Sequence, residues 1–164
     1  MSPIPDSNRR ELLILDSGPI RELLLHHAVF QFRFERLRGS LRCLTTPASY
    51  ERCSRFIASF RRKATSACVV AELNYWIRAT EERGRARLWH RVYDEYRAMD
   101  MQEEAISLIS MDVDMVTRFG PVDASLFELA WRSRGSHPMV LTVDAGLRSR
   151  CLDAGFGAHL LEEL

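Results

Sequence analysis

Short apolar runs alternate along the chain with longer amphipathic stretches. A continuous run of four or five apolar residues is typical of a strand buried on both faces of a parallel sheet. Runs of this kind predict buried strands at 12–15 and 139–143, and shorter apolar segments predict two further strands at 106–109 and 159–161. The first run is followed by Asp16-Ser17-Gly18-Pro19, and Pro19 suits the first turn of a helix.

Most of the remaining chain has helical spacing, as where Val69, Leu73 and Trp76 fall on one face. The predicted helical ranges are 19–27, 29–62 with breaks at 39–40 and 45–47, 71–83, 85–99, 112–118, 120–134 and a last helix closed by Gly155. Strands that alternate with helices predict an α/β fold. We expect a three-layer α/β/α sandwich with a mainly parallel central sheet.

A length of 164 residues fits a single domain, with residues 1–9 as a loose tail because prolines and small polar residues dominate there. No stretch approaches the roughly 20 consecutive apolar residues of a membrane span. The first residues lack the pattern of a secretory signal. We therefore expect a cytoplasmic protein without membrane contact. We also expect its four cysteines to be free thiols.

Charge is distributed unevenly along the chain. The formal net charge is only +1, yet residues 31–63 hold nine basic and two acidic residues. Such an excess is what a surface that binds a polyanion needs. A solvated helical surface explains the same composition, and the sequence leaves both interpretations open.

Four acidic residues are the candidates for chemistry. Asp16 and Asp144 each follow a predicted buried strand, and sites in open α/β sheets form at the carboxyl ends of strands. Glu72 and Asp123 each lie near the start of a predicted helix. The start of a helix that follows a strand lies at this same carboxyl edge of the sheet. Each acid also has a structural interpretation, as a helix cap, a partner of the helix macrodipole or a solvated residue.

The segments around these four acids resemble the motifs of the PIN-domain family. Residues 12–20 resemble the first motif, apolar residues followed by Asp and a small polar residue, and 67–73 resemble the second, a glutamate in an apolar setting. Residues 121–130 resemble the third, Asp-Ala before an apolar helix, and 141–156 resemble the fourth, Leu-Thr-x-Asp with a later Gly-Phe. The motifs occur in family order, although the basic stretch between the first two is longer than in compact toxin-type members.

The resemblance implies a Mg²⁺- or Mn²⁺-dependent endoribonuclease in which Asp16, Glu72, Asp123 and Asp144 bind the metal. Ser17 and Thr142 would then support these ligands or the substrate through hydrogen bonds. Four close carboxylates repel one another, and a divalent cation removes that penalty. Two alternatives are a catalytically silent module that binds RNA or protein and an unrelated metal-dependent phosphohydrolase.

The same resemblance bears on the partners of the protein. RNA is the implied substrate, a toxin–antitoxin role would add an antitoxin protein, and a homodimer is common in the family. Because an acidic site repels RNA, we expect arginines of the basic stretch to contact the RNA backbone beside it. Arg55, Arg61 and Arg62 are the residues that we select for this contact.

Overall fold

The central sheet has five strands, and every neighbouring pair is parallel. The computed structural model describes residues 10–79 and 86–164, so the expected loose tail at 1–9 lies outside the described residues. The strands are β1 (Arg10–Leu15), β2 (Phe60–Ser66), β3 (Gln102–Glu104), β4 (Met139–Thr142) and β5 (Gly157–Leu160). Their order across the sheet is β3-β2-β1-β4-β5.

Helices cover both faces of this sheet, which confirms the expected α/β/α sandwich. They are α1 (Ser17–Phe32), α2 (Glu35–Arg38), α3 (Pro47–Ala58), α4 (Ala67–Ala79), α5 (Ala86–Ala98), α6 (Val113–Arg132) and α7 (Ala145–Asp153). Helix α1 packs against α4 and α5, and α6 packs against α7. None of the helices in the described ranges is both long and apolar enough to span a membrane.

Strands β1 and β4 form the centre of the molecule. They pair in register from Leu13 with Met139 to Leu15 with Leu141, and the predicted runs 12–15 and 139–143 match them closely. The chain leaves β1 toward β2 and β3 but leaves β4 toward β5. The strand order therefore reverses between them, and in open α/β sheets the crevice at this reversal is where ligands bind.

Strand β2 is the main element that the sequence analysis predicted wrongly. Residues 29–62 were expected to be helical, but α3 ends at Ala58 and β2 begins at Phe60. Arg61 and Arg62 of β2 are exposed, so the strand lacks the continuous apolar run of a fully buried strand. Its buried positions are Phe60 and the carboxyl end from Ala64 to Ser66. The predicted break at 45–47 is confirmed, because Thr46 caps α3 and the helix begins at Pro47.

The edge strand also differs from the prediction. The run 106–109 was expected to be a strand, but Leu108–Ser110 forms a short 3-10 turn in which Ile109 is 97% exposed. The strand is instead Gln102–Glu104, whose three side chains are all exposed. It pairs with β2 through the backbone and through hydrogen bonds from Arg62 to the Gln102 side chain, so no hydrophobic pattern marks it.

Helix α6 brings the third candidate acid to the sheet. Asp112 caps it by accepting a hydrogen bond from the Met115 amide, as the sequence predicted. The predicted boundary at Gly120 and Pro121 is confirmed, because Gly120 has non-helical φ 86° and ψ 169° and separates two helical segments within α6. Asp123 lies in the first turn after this boundary.

Candidate active site at the carboxyl edge of the sheet

Asp16 is the most constrained of the candidate acids. It follows β1 directly, is 4% exposed, and caps α1 by accepting a hydrogen bond from the Ser17 amide to Oδ1 at 2.6 Å. Its other oxygen, Oδ2, accepts a hydrogen bond from the Thr142 hydroxyl at 2.7 Å. Burial raises the pKa of Asp16 above its usual value although both hydrogen bonds act to lower it, and the charge of Glu72 raises it further.

Thr142 joins Asp16 to Asp144. The Thr142 hydroxyl donates to Asp16 and accepts a hydrogen bond from the Asp144 amide at 2.9 Å. Asp144 in turn caps α7, because its Oδ1 accepts from the Leu147 amide at 2.8 Å. One fully buried hydroxyl thus holds the acids that follow β1 and β4 at the point where the strand order reverses.

Asp123 receives the electrostatic influence of the other three acids. Its pKa is raised to about 7, first because the carboxyl is half-buried and then because Asp16, Asp144 and Glu72 are negatively charged neighbours. Glu72 itself lies on the exposed side of α4. The four acids therefore lie in one region at the carboxyl edge, where the charges of Asp16, Asp144 and Glu72 contribute to the raised pKa of Asp123.

Buried hydroxyls that the sequence analysis missed fix the elements carrying Glu72 and Asp123. Ser66 ends β2, and its hydroxyl lies 2.6 Å from that of Ser125 on α6. Ser125 donates its proton to the Val122 carbonyl, so Ser66 is the donor between the two hydroxyls. Thr65 donates to the Leu15 carbonyl at 2.8 Å. The signal was a Thr-Ser pair at a strand end, which went unused because β2 was not predicted.

The donors at this edge fit a hard divalent cation, although they do not yet form a chelate. Within the described ranges, no three acidic, histidine or cysteine side chains stand close enough together to hold one ion. The available oxygens are nevertheless those that Mg²⁺ and Mn²⁺ prefer. Cys151 lies near Asp123, but burial raises the pKa of its thiol to about 12, so it stays protonated and is a poor ligand.

A groove of about 420 Å³ opens beside Asp144, between α6 and α7. Phe119, Arg118 and Arg150 line it together with Gly146. Three aspartates also line the groove, Asp112, Asp114 and Asp153. Since three acids face two arginines, the groove lacks the excess of positive charge that would attract RNA by itself.

The arginines selected as RNA contacts do not lie beside the acidic edge. Arg61 and Arg62 are near the start of β2, and Arg55 is in the last turn of α3, which leads into that start. The acids follow the opposite ends of the strands. The six residue steps of extended chain from Arg10, which pairs with Phe60, to Asp16 span about 20 Å.

Gly18 allows the loop that carries Asp16 to lie directly against the loop that carries Asp144. A Cβ added at Gly18 would lie 2.3 Å from Cγ2 and 3.2 Å from Cβ of Val143. No side chain fits there without a shift of Val143, the residue before Asp144. This glycine sits inside the first motif, but its role depends on a contact across the chain that the sequence does not show.

The comparisons with known proteins give no functional assignment. No protein-family model matches the chain, and no curated protein matches it. Among solved structures, the chain is similar to a domain of a functionally unknown protein from Methanocaldococcus jannaschii DSM 2661. The identity is 14% and the TM-score is 0.46, over 91% of this chain and 89% of that chain.

We predict that Gly18→Ala weakens Mn²⁺ binding because the new methyl group displaces Val143 and therefore Asp144. The expected loss is about tenfold, the lower end for a disturbed ligand support. Val143→Ala removes both methyl groups that the new Cβ would meet, so the double variant should recover most of the affinity. Calorimetric titration of parent, single and double variants measures this, and melting in EDTA should follow the same order. A double variant as weak as Gly18→Ala alone would contradict the contact.

We also predict that Asp123→Asn stabilises the protein in EDTA by an amount that grows with pH. The pKa of Asp123 is about 7 in the folded state and is usually 3.8. Between these values the folded state holds more protons than the unfolded state, so stability falls as pH rises through this window. Asparagine cannot ionise and avoids this loss.

Melting temperatures at pH 5 and pH 8 measure the effect, with Asp94→Asn as the matched control because Asp94 is exposed on α5. The gain of Asp123→Asn over the parent should be larger at pH 8, whereas Asp94→Asn should show no such difference. An equal gain at both pH values would mean that Asp123 does not experience the charges of the other acids.

Proposed function

We propose that the protein is a divalent-metal-dependent endoribonuclease that hydrolyses RNA phosphodiester bonds at the carboxyl edge of its sheet. The observation that carries the proposal is the link from Asp16 through the Thr142 hydroxyl to the Asp144 amide, at 2.7 and 2.9 Å. It holds two acids at the strand reversal, while Asp123 and Glu72 interact with them electrostatically. The resemblance to PIN-domain motifs supports the reaction type, with cytoplasmic RNA as substrate.

Asp16 and Asp144 are the residues that we expect to hold Mg²⁺ or Mn²⁺ most firmly, with Glu72 and Asp123 completing the site directly or through water. The two carboxylate oxygens of Asp16 offer about four lone pairs, and the hydrogen bonds from Ser17 and Thr142 leave at least one of them for a cation. When bound, the cation activates a water molecule and stabilises charge on the leaving oxygen.

The roles of the protein residues follow from their contacts. Thr142 and Ser17 fix the orientation of Asp16, so its carboxylate needs little rearrangement to bind a ligand. In the hydrolysis, a water oxygen bonds to phosphorus and the bond from phosphorus to one sugar oxygen breaks. Phe119 offers an exposed ring beside the site, next to Arg118 and Arg150 in the groove. A strand of RNA that follows this groove would place a base near the ring.

A role as the toxin of a toxin–antitoxin pair, with an antitoxin partner and a homodimer, is part of the proposal only through the family resemblance. A small neighbouring gene that encodes a DNA-binding protein would support it. The enzymatic proposal does not depend on that role, because it rests on the acids at the carboxyl edge of the sheet.

We predict that Asp16→Asn and Asp144→Asn each reduce Mn²⁺-dependent RNA cleavage to background while the fold remains. Asparagine is as good a helix cap as aspartate, so α1 and α7 keep their first turns. Cleavage of labelled RNA, DNA and a small phosphate ester, with and without Mn²⁺, measures this. Asp94→Asn serves as control for the loss of one exposed negative charge.

Three results would each contradict the proposal differently. RNA cleavage at the rate of the parent by Asp16→Asn or Asp144→Asn would show that the reaction does not depend on this site. Hydrolysis of the small ester alone would favour a phosphohydrolase. RNA binding by the parent without cleavage of any substrate would favour a silent binding module.

Thr142→Val tests the support of the acids separately. Valine keeps the volume of the side chain but removes the hydroxyl that contacts Asp16 and Asp144. We expect a 10–100-fold loss of Mn²⁺ affinity, about the range for a lost hydrogen bond to a metal ligand. Thr117→Val is the matched control, because Thr117 is exposed on α6 and its hydroxyl donates to the Val113 carbonyl of the same helix. Equal Mn²⁺ affinity of Thr142→Val and the parent, measured by titration, would exclude this supporting role.

A further inference from the structure

The amino ends of two interior strands are exposed and basic. Strand β1 begins with exposed Arg10 and Glu11, and β2 exposes Arg61 and Arg62 directly after its buried first residue, Phe60. Neither is an edge strand, because β2 lies between β3 and β1, and β1 lies between β2 and β4. Interior strands of a parallel sheet are usually covered on both faces. The exposure of charged residues near the amino ends of β1 and β2 is therefore unusual for interior strands.

The contacts of these arginines orient them and leave most of their charge uncompensated. The Arg10 guanidinium lies over the rings of Phe56 and Phe60, at 5.9 and 5.6 Å from their centres. Arg62 donates two hydrogen bonds to the neutral amide oxygen of Gln102, at 3.0 and 3.3 Å. Rings and amides hold a guanidinium without neutralising it.

Among these arginines, one has an acidic partner in the part of the chain that the structure describes. Arg61 forms an ion pair with Glu11 at 3.6 Å, and both side chains remain about half exposed, at 49% and 53%. Arg55 adds an exposed cation at the end of α3. Arg55 also complements the helix macrodipole, but the strand residues have no helix end to serve. We call Arg10, Arg55, Arg61 and Arg62 the amino-edge arginines.

The opposite edge has the reverse charge. Asp16, Glu72, Asp123 and Asp144 share it, and the adjoining groove has three aspartates and two arginines. An RNA strand approaching this edge meets repulsion that the local arginines do not offset. The two edges are about 20 Å apart along β1, and helices cover both faces of the sheet between them. An RNA that engages both edges must therefore pass around a helical layer and be longer than this straight distance requires.

We propose that the amino-edge arginines form a second RNA-contact surface, which binds phosphates of an RNA strand whose other part is engaged at the acidic edge. The proposal rests on the proposed ribonuclease function and adds that substrate recognition is bipartite and depends on RNA length. Positive charge at a distance from the reaction raises the rate of productive association. Long RNA benefits from it, and short RNA does not.

The test compares two RNA lengths and two charge variants. The substrates are labelled single-stranded RNAs of about four and about 30 nucleotides, below and above a typical single-strand site. The first variant carries Arg55→Gln, Arg61→Gln and Arg62→Gln. The control carries Arg38→Gln, Arg42→Gln and Arg97→Gln, which removes the same charge from exposed positions on α2, the segment after it and α5.

We expect the ratio of kcat/KM for long RNA to kcat/KM for short RNA to fall about tenfold or more in the first variant at low salt. The control should keep the ratio of the parent. An unchanged ratio in the first variant would overturn the proposal, and the same fall in the control would show that net charge alone is responsible.

Binding in EDTA separates this proposal from the ribonuclease function. Each phosphate contact contributes a slope of about −0.7 to the dependence of log affinity on log salt for single strands. The first variant should therefore bind the long RNA more weakly, with a slope flatter by up to about two. If the first variant shows this difference from the parent but the parent cleaves no RNA, the proposed ribonuclease function is contradicted and the second RNA-contact surface is supported. Unchanged affinity and slope would overturn the surface and favour a protein partner at these arginines.

Discussion

The arrangement of the candidate site depends on one buried hydroxyl. Thr142 donates to Asp16 and accepts from the Asp144 amide, so a single side chain fixes two acids from adjacent strands. The register of β1 with β4 brings the three residues together, and Gly18 lets the two loops touch. A hydrogen bond to a charged group contributes about 1.5–3 kcal/mol, which helps offset the cost of burying the Asp16 carboxyl.

The charges of the molecule are separated along the strand direction. The net charge is only +1, but its components are distributed unevenly. Acids follow the strands, whereas arginines precede or begin them. The acids concentrate where a cation would relieve their repulsion, and burial together with the charges of the other acids raises the pKa of Asp123. The arginines concentrate where neutral partners orient them. This separation is consistent with a metal site at one edge and a polyanion contact at the other.

The sequence predicted what continuous burial determines. Leu12–Leu15 and Val140–Thr142 are buried throughout, so their apolar runs identified β1 and β4 and placed Asp16 and Asp144 after them. Strand β2 has exposed Arg61 and Arg62 between its buried residues, and β3 is fully exposed, so neither has such a run. The contacts of Gly18, Ser66 and Ser125 join residues distant in sequence, and no local pattern encodes them. The same error placed Arg61 and Arg62 on a helix, which hid their distance from the acids.

The most direct test of the central claim is to locate manganese in crystals of the protein grown with Mn²⁺. An anomalous difference map collected at the manganese absorption edge shows where the ion binds without any assumption about activity. We expect a peak at the carboxyl edge, bonded to Asp16 and to at least one of Asp144, Asp123 and Glu72, and its loss in crystals of Asp16→Asn. Manganese found only elsewhere on the protein, or none bound to Asp16 at saturating Mn²⁺, would contradict the account.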